Sequence, residues 1–363
     1  MGSHPGYFKR LKSPGLMTLC LFLFYHATAQ VKVLDHAYAP PAGKDGPEAR
    51  FPIVQGPDSI VINKINRFLQ LTWLHNTPKS LRKGTDIFER TAYQHKDSGV
   101  RSGYTSIDYG IVFQSPRVLS LRLDLETMAA YPESYSHFQN FNLQNGTQIL
   151  TADLFTPEGL QQLRSYLREE RKKIIKEAGM AAIEEKMNKE DQDYISQSLT
   201  ECNLEAEENN AVIDSAGMIF FRSHCFPHVA RGMEADLSVR IPSAILSPWL
   251  NAYGKKIFIE PTANIKSDGL SGLLKPLSGT IGKYPVVLIL ERLDGNYAAG
   301  YYYYDSREIA IELSGERKGN NLVLHEYGDE GSTGTIRATI SGNALSGTWT
   351  GSNGKQLPFS VKN

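Results

Sequence analysis

Phe141-Asn142-Leu143-Gln144-Asn145-Gly146-Thr147-Gln148-Ile149-Leu150-Thr151-Ala152-Asp153-Leu154-Phe155 reads as a strand, an Asn-Gly turn, a second short strand and a tight exit into a helix. Asn and Gly suit the turn because both tolerate the left-handed backbone that short hairpin connections need. Thr156 is placed to cap the helix, and Pro157 takes the first helical position, where its missing N–H has no partner to lose.

Working outward toward the N-terminus, Tyr104 to Phe113 alternates through Ile107, Tyr109, Ile111 and Phe113, and Val118 to Leu125 through Leu119, Leu121, Leu123 and Leu125. Gln114-Ser115-Pro116-Arg117 supplies the turn between them. Arg122, Asp124 and Glu126 occupy the other face of the second strand, as expected when one side meets a core and the other meets water. Upstream, Asp58 to His75 places Ile60, Ile62, Ile65, Phe68, Leu69 and Trp73 close to helical spacing, with Asp58 or Ser59 as N-cap. Residues 30–50 read as a flexible lead-in, broken by Pro40-Pro41-Ala42-Gly43-Lys44-Asp45-Gly46-Pro47.

Toward the C-terminus, Thr156 to about Lys189 is predicted helical, with Leu160, Leu163, Leu167, Ile174, Ile175 and Ala178 as its apolar stripe and Gly179 weakening its middle. The mixed-sign run Arg168-Glu169-Glu170-Arg171-Lys172-Lys173 reads as a solvated face. Ile213 to Phe221 reads as a strand, and Asp236 to Pro242 leads to a short helix ending near Trp249-Leu250. The expected class for residues 51–262 is α+β, a central antiparallel sheet with packed helices, in two parts of about 51–130 and 131–262.

Beyond Asp268-Gly269-Leu270-Ser271-Gly272 the composition shifts to Gly, Tyr and Thr. Tyr284–Leu290, Gly300–Tyr304, Ile309–Gly315, Asn321–Glu326, Gly334–Ile340, Ala344–Trp349 and Leu357–Val361 read as successive antiparallel strands. Gly295-Asn296, Lys318-Gly319-Asn320, Gly331-Ser332, Gly342-Asn343 and Asn353-Gly354 are the turns. Residues 275–363 are therefore expected to form a small all-β, barrel-like domain, an arrangement that removes exposed strand edges.

The stretch from Phe141 to Phe155 resembles the signature of an uncharacterised extracytoplasmic domain found at the C-terminus of lysozyme-sensing anti-sigma factors and beside polysaccharide deacetylase modules. Its companion domain resembles residues 48–130, through Phe51-Pro52-Ile53 and Ile62-Asn63-Lys64-Ile65-Asn66. Where many relatives carry a Gly-Gly-Ala-His tract, this chain has Ala129-Ala130-Tyr131-Pro132-Glu133-Ser134-Tyr135-Ser136-His137, so no ligand contact of that tract transfers. Leu277-Ser278-Gly279-Thr280-Ile281-Gly282, Gly300-Tyr301-Tyr302-Tyr303-Tyr304 and Ser346-Gly347-Thr348-Trp349 resemble a lipocalin-like accessory domain of envelope proteins. The resemblance implies lysozyme-type muramidases or peptidoglycan as ligands.

The first 29 residues read as a signal peptide. Lys9, Arg10 and Lys12 precede the apolar run Leu16 to Tyr25, and Ala27-Thr28-Ala29 before Gln30 fits a signal-peptidase site. The run falls short of the roughly 20 residues of a membrane span, so no span is expected after cleavage. A periplasmic, secreted or cell-surface location follows. Without residues 1–29 the chain holds 36 Lys+Arg against 39 Asp+Glu, which gives no broad attraction to nucleic acid. Cys202 and Cys225 then remain, and an oxidising compartment favours a disulfide between them. A metal site in His224-Cys225-Phe226-Pro227-His228 is the weaker reading, because neighbours on a strand point to opposite faces.

Gly-x-Ser-x-Gly, His-Glu-x-x-His, a phosphate-cradling glycine loop and Cys-x-x-Cys do not occur. Glu291, Asp294, Glu326 and Asp329 could line a site, with His325 beside Glu326, yet sequence spacing selects no acid/base pair among them. No catalytic residue, metal or cofactor is expected. Tyr302, Tyr304, Trp349 and Tyr135 are the candidate ligand-binding residues, because aromatic faces stack on saccharides. Alternation sends two of the four consecutive tyrosines into the barrel and two outward. Three functions remain open: a non-catalytic envelope binding protein, a cell-wall hydrolase, and a structural part of an envelope complex.

Overall fold

The computed structural model describes residues 31–39, 48–74, 93–94, 101–128, 132–184, 188–202, 204, 210–222, 225–226, 231, 234–260, 273, 276–294, 296–307, 310–328 and 331–363. The predicted signal peptide and the Pro40–Pro47 run lie outside them.

The chain begins as an antiparallel pair, β1 (Lys32–Tyr38) and β2 (Glu48–Gln55), in register from Lys32 opposite Gln55 to Tyr38 opposite Ala49. The expected flexible lead-in is therefore corrected over residues 32–38. That segment gains a backbone ladder and packs Val33 and Tyr38 on the core. Polar ties hold it as well: Tyr109 Oη donates to Asp35 Oδ1 at 2.5 Å, and Gln114 Nε2 to the Val31 carbonyl at 2.5 Å. Its alternating pattern was masked in the sequence by the proline-rich run behind it.

Helix α1 (Ser59–Leu69) starts where Asp58 accepts the amides of Ile60 and Val61 at 3.0 and 3.1 Å. Val61, Ile62, Ile65, Phe68 and Leu69 form its buried face, while Ile60 stays exposed. A π-helical turn, Gln70–Leu74, adds Leu71, Trp73 and Leu74 to the same core. β3 (Tyr93–Gln94), β4 (Arg101–Gln114), β5 (Val118–Met128), β6 (Pro132–Asn142) and β7 (Thr147–Gln148) complete a seven-stranded sheet in the order β1-β2-β4-β5-β6-β7, with β3 on β4. The pairing is antiparallel except between β2 and β4, which run parallel because the connection carrying α1 crosses back between them. Leu119, Leu121, Leu123 and Leu125 are buried as their alternation predicts.

The Asn145-Gly146 turn has Gly146 at φ +75°, and its amide donates to the Asn142 carbonyl at 2.8 Å. A short helix, α2 (Thr151–Leu154), intervenes before α3 (Pro157–Glu184), whose Thr156 cap accepts the Gly159 amide at 2.9 Å. The predicted helix to Lys189 ends at Glu184, and a further helix that was not predicted starts at Lys189. α3 runs through Gly179 to Glu184, and Asn188 caps α4 (Lys189–Glu201) by accepting the Asp191 amide at 2.9 Å. Ile213–Phe221 is likewise a hairpin, β8 (Ala211–Ile213) and β9 (Gly217–Phe220), because the Asp214 carboxylate accepts the amides of Ala216 and Gly217 and turns the chain. β10 (Val239–Pro242) completes a three-stranded sheet, followed by α5 (Ser243–Leu246), a 3-10 turn at Ser247–Trp249 and α6 (Ala252–Phe258). Asn140 joins the two sheets as a strand would: its amide donates to the Ala211 carbonyl at 2.8 Å and accepts the Ile213 amide at 2.9 Å. Cys202 and Cys225 form a disulfide with Cα atoms 5.3 Å apart.

The C-terminal part is a closed barrel of β11 (Leu277–Ile281), β12 (Tyr284–Asp294), β13 (Tyr297–Tyr304), β14 (Ile311–Lys318), β15 (Asn321–Gly328), β16 (Gly331–Ser341), β17 (Ala344–Gly351) and β18 (Gln356–Lys362). β11 pairs with β18 and removes the sheet's edges. Gly319 and Gly342 take φ near +60° in the predicted turns, whereas Gly331 and Ser332 belong to β16 and pair with Gly328 and Tyr327. Leu288, Leu290, Tyr302, Leu313, Leu324, Ile336 and Phe359 fill the interior. Val287, Ile289 and Tyr303, on the outside of β12 and β13, belong to the same core as Phe51, Leu69, Trp73 and Leu121. The barrel wall thus closes over the α+β part, and β12 is apolar on both faces.

Candidate functional site

Tyr302 and Tyr304 share a parity on β13 and both face the barrel interior, where their rings meet edge to face at 5.5 Å. Tyr303 points the other way and is buried against the α+β core, so it packs and does not face solvent. Tyr302 is 1% exposed, whereas Tyr304 is half-buried. Together with Trp349 of β17 they converge on Glu326 of β15.

Glu326 is a buried carboxylate, 3% exposed, at the end of an otherwise apolar interior. Isolated burial of such a charge is prohibitive, so its partners explain it. Tyr302 Oη donates to Oε1 at 2.6 Å, Trp349 Nε1 donates to the same oxygen, and Thr333 Oγ1 donates to Oε2 at 3.2 Å. Gly334, directly opposite on β16, makes the space: a Cβ there would lie 2.5 Å from Oε2. The register shifts just beyond, between Glu326 and Tyr327, as a bulge does where a strand re-aims its side chains. Burial, and after it the charge of Glu326, pushes the Tyr302 hydroxyl far above its ordinary pKa, so it stays a neutral donor. Burial raises Tyr304 as well.

The hairpins and loops after β11, β13 and β17 gather further groups at this barrel end. Tyr284 stands edge to face with Tyr304 at 6.3 Å and carries Lys283 Nζ 5.6 Å from its ring centre. Ile311, Trp349, Leu357 and Tyr304 pack on the interior while remaining partly exposed. The result is an aromatic rim whose rings are held in place by a buried, hydrogen-bonded carboxylate, chemistry that offers flat apolar faces and tyrosine hydroxyls to a polyhydroxylated ligand.

Three of the four predicted ligand residues, Tyr302, Tyr304 and Trp349, are thus brought together. Tyr135 is not: it lies on β6 of the seven-stranded sheet, 40% exposed, with His137 as its ring neighbour at 6.3 Å. Glu326 stood in the sequence only as one of several scattered carboxylates, and what singles it out is its parity. Starting from Asn321, Leu322 and Leu324 face inward, so Glu326 must follow them while His325 faces outward. The side chains of Glu291 and Asp294, and all of Asp329, His224 and His228, lie outside the described residues. Among the described residues no three His, Cys, Asp or Glu side chains gather closely enough to hold a metal ion, and no helix is long and apolar enough to cross a membrane. A separate shallow groove of about 700 Å³ lies along α3 between Glu158, Gln162, Tyr166 and Trp249.

No family model and no curated protein match the sequence. Among solved structures the chain is similar to a DUF3298 family member from Bacteroides fragilis NCTC 9343, at 13% identity and a TM-score of 0.41, covering 65% of this chain and 98% of that one. It is also similar to a DUF3298 family protein from Pseudomonas aeruginosa PAO1, at 13% identity and a TM-score of 0.39, covering 62% and 95%.

Proposed function

We propose that this chain is an exported, non-catalytic protein of the cell envelope that binds a glycan at the mouth of its barrel, with peptidoglycan fragments as the first ligands. The signal-like N-terminus and the Cys202–Cys225 disulfide are consistent with an oxidising compartment. The observation that carries the binding reading is the rim itself: Tyr304 and Trp349 stay partly exposed, next to a carboxylate held at the interior boundary by Tyr302 and Thr333. Sugars present apolar C–H faces to aromatic rings and hydroxyls to polar groups, and the rim supplies rings and tyrosine hydroxyls, with Glu326 holding Tyr302 and Trp349 in position.

Binding is favoured over hydrolysis by the surroundings of Glu326. Its oxygens already accept from three donors, and its sequence neighbour His325 faces the opposite side of the barrel wall, so the two cannot work as one acid/base pair. Glycoside hydrolysis generally needs two carboxyl groups roughly 5 to 10 Å apart. A lysozyme-type protein, which the sequence resemblance implies, is the alternative ligand.

The test is calorimetric titration of the whole chain with muropeptides and, separately, with lysozyme. Saturable muropeptide binding that Tyr304→Ala weakens, at an unchanged melting temperature, supports the reading. Binding to lysozyme alone moves the assignment to a protein partner, release of reducing sugar makes the protein a hydrolase, and absence of all three points to a structural role.

A further inference from the structure

The outer wall of the barrel carries a second set of side chains that the mouth does not use. Tyr297, Glu316, Lys318, His325, Tyr327 and Arg337 line a groove of about 480 Å³ across β13 to β16. The ladder sets Tyr297 opposite Glu316, Glu316 opposite Val323 and Val323 opposite Arg337. An aromatic ring and a guanidinium therefore flank one row, three strand spacings or about 14 Å apart. Tyr327 lies four residues further along β15 than Val323, a rise of roughly 13 Å. Both tyrosines are 46% exposed, far more than the rings that pack the interior. His325 is held in the wall by its Nδ1, 3.2 Å from Thr335 Oγ1.

The charges decide what such a surface accepts. Glu316 is paired with Lys318 at 3.3 Å, which leaves the guanidinium of Arg337 as the groove's surplus charge. Its planar fork matches a carboxylate in two parallel hydrogen bonds. The two tyrosine rings add faces for pyranose stacking on either side.

We propose that this groove is a second binding site, separate from the barrel mouth, for a carboxylate-bearing glycan. An uncharged glycan uses the rings and leaves Arg337 uncompensated, whereas an acidic peptide uses Arg337 and leaves the rings idle.

The test titrates the full chain with three fluorescent probes of equal length: an oligogalacturonate, an uncharged oligoglucoside and an oligoglutamate peptide. The oligogalacturonate should bind best, and its binding should weaken as salt rises. Arg337→Gln and Tyr327→Ala should each weaken it about tenfold, a charge-assisted contact being worth that factor or more. Arg337→Lys should fall between wild type and Arg337→Gln, since it keeps the charge and loses the fork. Tyr304→Ala, at the mouth, should remove only a mouth-bound fraction and leave the salt-sensitive, Arg337-dependent fraction in place. Melting temperatures equal to wild type show that each variant is folded. Equal or tighter binding of either control probe, no binding of the oligogalacturonate, or an Arg337→Gln affinity equal to wild type overturns the proposal.

Discussion

Tyr302 shows how much of the mouth rests on single hydrogen bonds. Its hydroxyl donates to a buried carboxylate at 2.6 Å, so Tyr302→Phe keeps the ring packing and removes only the donor. A hydrogen bond to a charged group contributes about 1.5–3 kcal/mol, and urea unfolding should show a loss of that size; an unchanged midpoint contradicts the assignment. Asp153, in α2, is the second informative residue. Burial raises its pKa from 3.8 to about 6, against the lowering effect of the Leu150 amide that donates to it at 3.1 Å. The folded state therefore holds this proton more tightly than the unfolded chain. On its account stability is fullest below the ordinary carboxylate pKa and declines as pH rises through about 6, by at most roughly 1.4 kcal/mol per pH unit. Asp153→Asn keeps an acceptor for Leu150 and should flatten that decline in urea unfolding at pH 4.5, 5.5 and 6.5; parallel curves for the two proteins contradict the linkage. The residue types of the mouth were legible in the sequence. Their meeting was not, because it depends on strand parity and on a closure between β11 and β18 that brings distant segments together.

At the scale of elements, the mixed-sign run on α3 separates into two roles. Lys172 and Lys173 pair with Glu169 and Glu170 at 3.0 and 2.6 Å on the exposed face, as the alternating charges imply. Arg171 is fully buried, and this corrects the reading of the whole run as solvated. It follows Leu163 and Leu167 at successive four-residue steps, so the helical period that defines the apolar stripe carries Arg171 inward. Its guanidinium donates to the carbonyls of Leu237, Leu204 and Phe221 at 3.1, 2.8 and 3.1 Å. Two of those acceptors sit near the disulfide, Leu204 just after Cys202 and Phe221 before Cys225, so the cation ties to α3 the same stretches that the bridge ties to each other. Arg171→Met leaves one buried and two half-buried carbonyls without this donor and should cost about 3 kcal/mol in urea unfolding. Replacing both cysteines by alanine, which opens a loop with a sequence separation of 23, should cost about 3 kcal/mol by chain entropy. A loss under half of that for either change means that the segment is held by other contacts. The disulfide was legible from compartment and cysteine count, whereas the buried arginine was hidden among its exposed neighbours.

On the scale of the molecule, the barrel and the α+β part share one core through Val287, Ile289 and Tyr303. The structure accounts for the unbroken apolar run Val286-Val287-Leu288-Ile289-Leu290, since a strand with one solvated face alternates and a strand buried on both faces does not. Calorimetry should give one transition, and Val287→Asp, which buries an unpaired carboxylate, should lower it as a whole; two transitions of which only one moves contradict a shared core. The α+β class, the strand ladder and the barrel could be read from periodicity and turn residues. The docking of the barrel wall could not, because it is set by packing between segments far apart in sequence. Whether ligand binds at the mouth is read from the indole signals of Trp73, Trp249 and Trp349 in 15N NMR during titration with muropeptides. Binding at the mouth gives a saturable shift of the Trp349 indole, whose N–H is bonded to Glu326, with Trp73 and Trp249 unmoved; a static Trp349 signal, or a shift confined to Trp249 on the α3 groove, rules that site out.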